Sequence, residues 1–257
     1  MRLRPRQMIM IVAALVMAVV LWVQLSGPSE PTHNGKSLSE WLDERRPTPA
    51  GPIVLTDEAE QAVREIGPEA IPFLLDWVQR TDSTTSQSLR YRVGIPIPLN
   101  DVWRARGLYG FRALGDAAEP AIPELVEMAL KSDDRDVQGA ATNSLTNNHP
   151  LAVKLLIEAL QSGDSEIRFN AALVLGRLRP PEAIEPLTKA LADSEHGVRG
   201  ISAMGLGFYS PDKLPQETID ELQRLAGDSD KESGLAAEHA LKMLGLYQAA
   251  DVNSEDE

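Results

Sequence analysis

Four histidines, His33, His149, His196 and His239, are the residues first asked for metal or proton-transfer chemistry. None has a second ligand at i+3 or i+4 that would complete a metal pair on one helix face, so no metal is expected. Gly35-Lys36-Ser37 ends like a phosphate loop. That loop needs a glycine five residues before its second one, and Glu30 stands there. Ser37-Leu38-Ser39-Glu40 reads instead as a capping box, with Ser37 closing the helix start and Glu40 reaching back. Ser202 follows Gly200 by two, but Met204 stands where a nucleophile elbow needs its last glycine. The carboxylates are many, and they fall in turns and on solvated helix faces, so no acid–base pair stands out. With no cysteine, thiolate metal sites, cysteine nucleophiles and disulfides are excluded. The sequence therefore points to no catalytic residue, no cofactor and no enzyme. Arg168 and Arg199 remain. They form either a basic row facing a groove or a structural ladder bonding turn aspartates and helix-end carbonyls, and the ladder is the favoured reading.

These arginines sit in a repeat. Ile167-Arg168 recurs as Val198-Arg199, Ala172 as Ala203, Leu175 as Leu206 and Gly176 as Gly207, each 31 residues on. A fixed period in this range is the signature of stacked helix pairs. The first helix of each pair begins at Ala70-Ile71, Ala121-Ile122, Ala152-Val153, Ala183-Ile184 and Thr218-Ile219. Apolar residues such as Ile122, Leu125, Val126 and Ala129 fall at helical spacing. The second helices are expected at about 101–114, 136–146, 166–178, 197–208 and 233–245. Small residues, among them Ala172 and Ala203, lie where helices must approach. Gly115, Gly207 and Gly245 come late enough to be C-terminal caps. Asp133-Asp134, Asp164, Asp193 and Asp228 mark acidic turns that can cap the next helix. The step of 51 between Ile71 and Ile122 inserts about 20 residues at 81–100, either a functional loop or a tolerated surface one.

Outside the repeats, Arg2, Arg4 and Arg6 precede an unbroken apolar run at 8–23. A cleaved signal peptide and an uncleaved signal anchor both fit. The lack of an A-x-A-like site favours the anchor. On that reading residues 1–25 are a cytoplasmic stub and a transmembrane segment. Membrane attachment runs through 8–25, and the rest lies on the periplasmic side of a bacterial inner membrane. Residues 26–55 read as a linker with one short capping helix, 56–246 as the solenoid, and 247–257 as an acidic disordered tail. The net charge of −13 opposes binding to phosphate backbones, so nucleic acid is not an expected partner.

The series Ile167-Arg168-x-x-Ala171-Ala172-x-x-Leu175-Gly176-x-Leu178, then Glu182-Ala183-Ile184-x-Pro186-Leu187, resembles HEAT repeats. It is most similar to the short bacterial subtype also found in phycobilisome bilin lyases. Gly35 to Leu42 followed by such repeats is similar to membrane-anchored bacterial HEAT proteins. Departures are Gln138 for the usual Arg, Thr146 for the usual Gly, and Ser233-Gly234 for Val-Arg. The resemblance implies an all-α, right-handed α-α superhelical solenoid. It has about five helix pairs, preceded by one N-terminal transmembrane or signal helix, and the Val-Arg helices line its concave side.

Solenoids act through their surfaces. The expected function is a membrane-tethered, non-enzymatic scaffold that takes a protein or peptide in the concave groove; a bilin-lyase-like or other enzyme-accessory role is the alternative. Gln138, Asn143, Phe169, Asn170, Gly200 and Met204 are the expected groove residues. Phe169, out of step with the core stripe, is either packing against a neighbouring repeat or an exposed anchor for the partner.

Overall fold

The computed structural model describes residues 29–48, 51–81, 100–145 and 149–247. Most of the insertion, the apolar run at 8–23 and residues 248–257 lie outside them. Helix α1 (Leu38–Asp43) starts at Ser37, whose hydroxyl accepts from the Glu40 amide while the Glu40 carboxylate accepts from the Ser37 amide. Helix α2 (Asp57–Ile66) follows, and five pairs come after it. Their first helices are α3 (Ile71–Gln79), α5 (Ile122–Lys131), α7 (Pro150–Ala159), α9 (Ile184–Ala190) and α11 (Gln216–Ala226). Their second helices are α4 (Asn100–Leu114), α6 (Arg135–Ser144), α8 (Ser165–Leu178), α10 (His196–Gly207) and α12 (Lys231–Met243).

The pairs stack into one repeat solenoid with a continuous core, mostly of leucine, isoleucine, valine and alanine, with Trp77 and Phe111 buried in it. Three first helices, α3, α5 and α9, open on short 3-10 turns, as at Gly67–Ala70 and Pro181–Ala183, where a proline near the start needs no amide partner. Second helices open on acids. Asp134, Asp164 and Asp230 each accept an amide of the first turn, and Asp193 does so for Glu195.

Two expectations need correction here. First, the described part of the 26–55 stretch is a packed cap as well as a connector, and the described chain is not wholly helical. Strands β1 (Thr32–His33) and β2 (Lys36–Ser37) form one antiparallel hairpin, and β3 (Arg45–Thr48) and β4 (Gly51–Leu55) another. Leu38, Trp41, Leu42 and Leu55 enter the core. Arg106 of α4 reaches back to grip Asp43, its Nε 2.9 Å from Oδ1 with a second bond alongside, and Tyr109 donates to the Ile53 carbonyl at 3.0 Å. This cap covers the first edge of the stack, an edge that repeats cannot cover for themselves. Second, among the described residues no helix is long and apolar enough to cross a membrane. The longest of them, α4, has 15 residues. Spanning hydrocarbon takes about 17–25 residues, and a repeat that must turn every 31 or so leaves no helix that long. The single-pass inner-membrane placement is therefore not supported. The segment at 8–25 on which it rested lies outside the described residues.

Gly207 also differs from its expected role. It has no positive φ; its backbone lies against α12, where an added Cβ would come within 2.9 Å of the Ala240 Cα. Close approach rather than capping explains that glycine.

Candidate functional site

Helical geometry puts residues i, i+3, i+7 and i+11 on one narrow stripe. On α8 the outward stripe is Glu166, Phe169, Leu173 and Arg177. On α10 and its C-cap it is Gly197, Gly200, Met204 and Phe208, and on α12 it is Glu232, Leu235, His239 and Met243. Every one of these residues is exposed or half-buried. Among the described residues, the exposed large hydrophobics are Ile53, Phe208 at 47%, Leu235 at 64% and Met243 at 42%. Three of the four therefore lie on this one face. The face carries acid at the helix starts, apolar side chains in the middle and Arg177 at one helix end. The stripe continues on α6 as Asp136, Gly139 and Asn143. There a cavity of about 290 Å³ opens between α4 and α6, lined by Arg104, Arg135, Asp136 and Asn143 among others.

The expected groove residues divide. Asn143, Phe169, Gly200 and Met204 occupy the outward stripe. Phe169 is half-buried, with its ring edge 3.6 Å from the place of a Cβ on Gly197 in the next helix. Asn170 does not face outward. It is buried at 7% exposure, and its amide donates to the Leu130 carbonyl at the end of α5, 2.9 Å away. One residue along a helix is a 100° turn, so Asn170 points into the contact between α8 and α5 while Phe169 does not. Gln138 occupies, on α6, the position that Arg168 and Arg199 hold on α8 and α10.

Those arginines are half-buried and paired. Arg168 binds both Asp193 oxygens, from Nε and Nη2, each at 2.8 Å, and donates from Nη1 to the Ser162 carbonyl at 2.9 Å. Arg199 donates to the Asp193 carbonyl at 2.7 Å and to the Asp230 carboxylate at 2.6 Å. Arg104, which the sequence pattern did not single out, does the same in α4. It bonds the Arg80 carbonyl at 2.9 Å and reaches Asp136 at 3.4 Å. Each arginine thus ties its own preceding turn to the turn of the next repeat. The side chains of Leu173, Phe208, Leu235 and Met243 were also missed. Leu235 follows Gly234 as Phe169 follows Arg168, so the repeat register held the signal, masked by the lost Val-Arg pair.

The ladder sets a pH dependence. The Arg168 guanidinium holds the Asp193 carboxyl below the usual range, and Arg106 does so for Asp43. The Ser233 hydroxyl, with Arg199 beside it, brings Asp230 down to about 2. A carboxyl lowered in the folded state contributes its stability fully above the unfolded value near 3.9 and loses it as pH falls through the folded value. The urea midpoint is therefore expected to drop between pH 4 and pH 2. Asp193→Asn should be less stable than the parent at pH 6 and converge on it across that window. A constant gap would show that Asp193 titrates normally.

Among the described residues, no group of three or more His, Cys, Asp or Glu side chains is placed to hold a metal ion. Fold and face together define a helical repeat solenoid, an architecture generally used for protein interaction. Residues 122–207 match the family model of HEAT repeats. A comparison with curated proteins returns no match. Among solved structures, the chain is similar to human deoxyhypusine hydroxylase in complex with glycerol. Identity is 21%, over 74% of this chain and 81% of that one, with a TM-score of 0.39. It is also similar to a designed armadillo repeat protein in complex with the peptide (KR)4. Identity there is 15%, over 80% of this chain and 98% of that one, with a TM-score of 0.38.

Proposed function

We propose that the chain is a non-enzymatic interaction scaffold that seats a protein or peptide on the face of its second helices, which we read as the concave side. The observation that carries this is the concentration of exposed Phe208, Leu235 and Met243 on that one face. Exposed apolar side chains gathered in one patch mark an interaction surface, whereas scattered ones do not. Curvature supports the reading. Backbones of α8 and α10 meet through Gly176 and Gly205, and those of α10 and α12 through Gly207 and Ala240. The first helices α9 and α11 meet instead through side chains, Thr188 and Thr218 at 2.8 Å. Closer spacing on the second-helix side bends the stack inward there. Asn143, Phe169, Gly200 and Met204 then belong to the binding surface, Asn170 to its support, and Arg168 and Arg199 to the frame.

A photo-crosslinking residue at Met204 tests this. It should trap a discrete partner in extracts of the native source, identified by mass spectrometry. The same residue at Lys154, exposed on first helix α7, should trap none of it. Equal crosslinking at both positions would sink the proposal. Phe169→Ala should weaken capture by more than about 1 kcal/mol, as loss of an interface aromatic does, and leave the melting curve near the parent's.

A further inference from the structure

The same face carries enough detail to say what shape and charge of partner it fits. We propose that the partner segment is a cationic amphipathic helix of about three turns, lying across α8, α10 and α12 with its apolar ridge in the trough floored by Gly197 and Gly200. This rests on the proposed interaction face and adds the chemistry of the occupant.

The trough comes from side-chain size. In the middle helix the stripe begins with two glycines. Phe169 stands on one side and Leu235 on the other, and Met204 and Phe208 close the far end. A Cβ at Gly200 would meet the Ala236 methyl at 3.5 Å and the Ser233 Cα at 4.0 Å, both ordinary contacts, so packing alone does not require glycine there. Neighbouring helix axes lie about 8–10 Å apart, so three helices span roughly 16–20 Å. A helix rising 1.5 Å per residue crosses that span in about 11–13 residues.

Backbone chemistry selects a helix over an extended strand. An extended peptide lying in the trough turns one row of its N–H and C=O groups from water onto the floor, and a floor of glycine between hydrophobic walls offers that row no partner. A helix satisfies those groups internally. The inward bend selects against a second copy of the same face, since two concave surfaces cannot close on each other.

Charge fixes the flank. Glu166, Glu195 and Glu232 line the edge at the helix starts. Among the described residues Glu166 and Glu195 have no Lys or Arg within ion-pair distance, and Glu232 meets only His196, at 3.3 Å. The chain as a whole carries −13. A partner with Lys or Arg along that edge gains attraction in both encounter and docking, and one with Asp or Glu there is repelled. Anionic partners, lipid surfaces among them, are disfavoured by the same edge.

The test is a selection. A random displayed library of 14-residue helical peptides is panned on the full chain, with clones that bind Met204→Glu removed. The expected pool has net positive charge and apolar residues at i, i+3 or i+4, and i+7. A synthesised clone should bind the double variant Glu166→Lys, Glu232→Lys about tenfold more weakly or worse, by fluorescence anisotropy in low salt. Leu235→Glu, at the most exposed position of the face, should abolish binding with an unchanged circular-dichroism melt. Enriched clones that are acidic or uncharged, or indifferent to the charge reversal, overturn the cationic helix. If such clones still lose binding to Leu235→Glu, the interaction face stands without it; if they do not, the face itself fails. Concentration-dependent self-association, removed by Leu235→Glu in sedimentation, would give the face to a second copy and overturn the proposal.

Discussion

Gly176→Ala is expected to destabilise the protein by about 2 kcal/mol, although alanine is the better helix former. In an open helix interior the exchange gains up to about 1 kcal/mol. Here a Cβ would lie 2.7 Å from the Cα of Gly205 in the neighbouring helix. That contact is backbone against backbone, so no rotamer change relieves it, and α8 and α10 must move apart. Overpacking a tight core costs about 1–3 kcal/mol, and a contact with no soft atom belongs at the upper end. The loss therefore exceeds the propensity gain. Gly139→Ala supplies the opposite sign. Gly139 lies within α6 with open space where its Cβ would be, so the change should stabilise by roughly 0.5–1 kcal/mol. Urea denaturation of the two variants measures both. If both stabilise, the helices do not cross at Gly176. Ala172→Leu, fully buried one turn away, should fall on the destabilising side as well.

Arg168→Ala should cost about 2–3 kcal/mol, the range for breaking a hydrogen-bonded ion pair that is largely out of water. The Arg168 side chain is 12% exposed and that of Asp193 13%, so neither end regains full solvation when the other is removed. The Ser162 carbonyl loses its donor too. The double variant Arg168→Ala, Asp193→Ala should lose less than the sum of the single variants, because each single change strands a partner. Arg168→Lys should recover only part of the loss, since an ammonium cannot make the two parallel bonds of the fork. Lys189→Ala, in an exposed i,i+4 pair with Glu185, should show no measurable change. Additive losses in the Arg168 cycle would mean that the pair contributes through packing alone.

The helices, their order and their capping acids were legible from residue periodicity, because helix formation responds to spacing that a linear reading can count. The 31-residue step located α8 and α10 and aligned Phe169 with Gly200. Two classes of feature were not legible. The paired strands at 32–33 with 36–37 and at 45–48 with 51–55 are short, and their residues resemble a connector. They are ordered by packing on α2 and α4 and by the Arg106–Asp43 pair, partners that lie far along the chain. Residues of the outward face were only partly legible from the repeat signature. In α12 it is replaced by Ser233-Gly234, so Leu235 and Met243 carried no mark that set them apart from core residues.

What the sequence by itself determined is therefore the repeat and the identity of the helices. The tertiary structure decided which side of each second helix is left uncovered. Asn170 and Phe169 are neighbours in the chain with similar claims to the surface. One is buried because the end of α5 passes beside α8 and offers the Leu130 carbonyl, and the other stays half-open because Gly197 leaves room for its ring. Helical spacing fixes the angle between two such residues, but only the position of the neighbouring helices fixes which angle faces water.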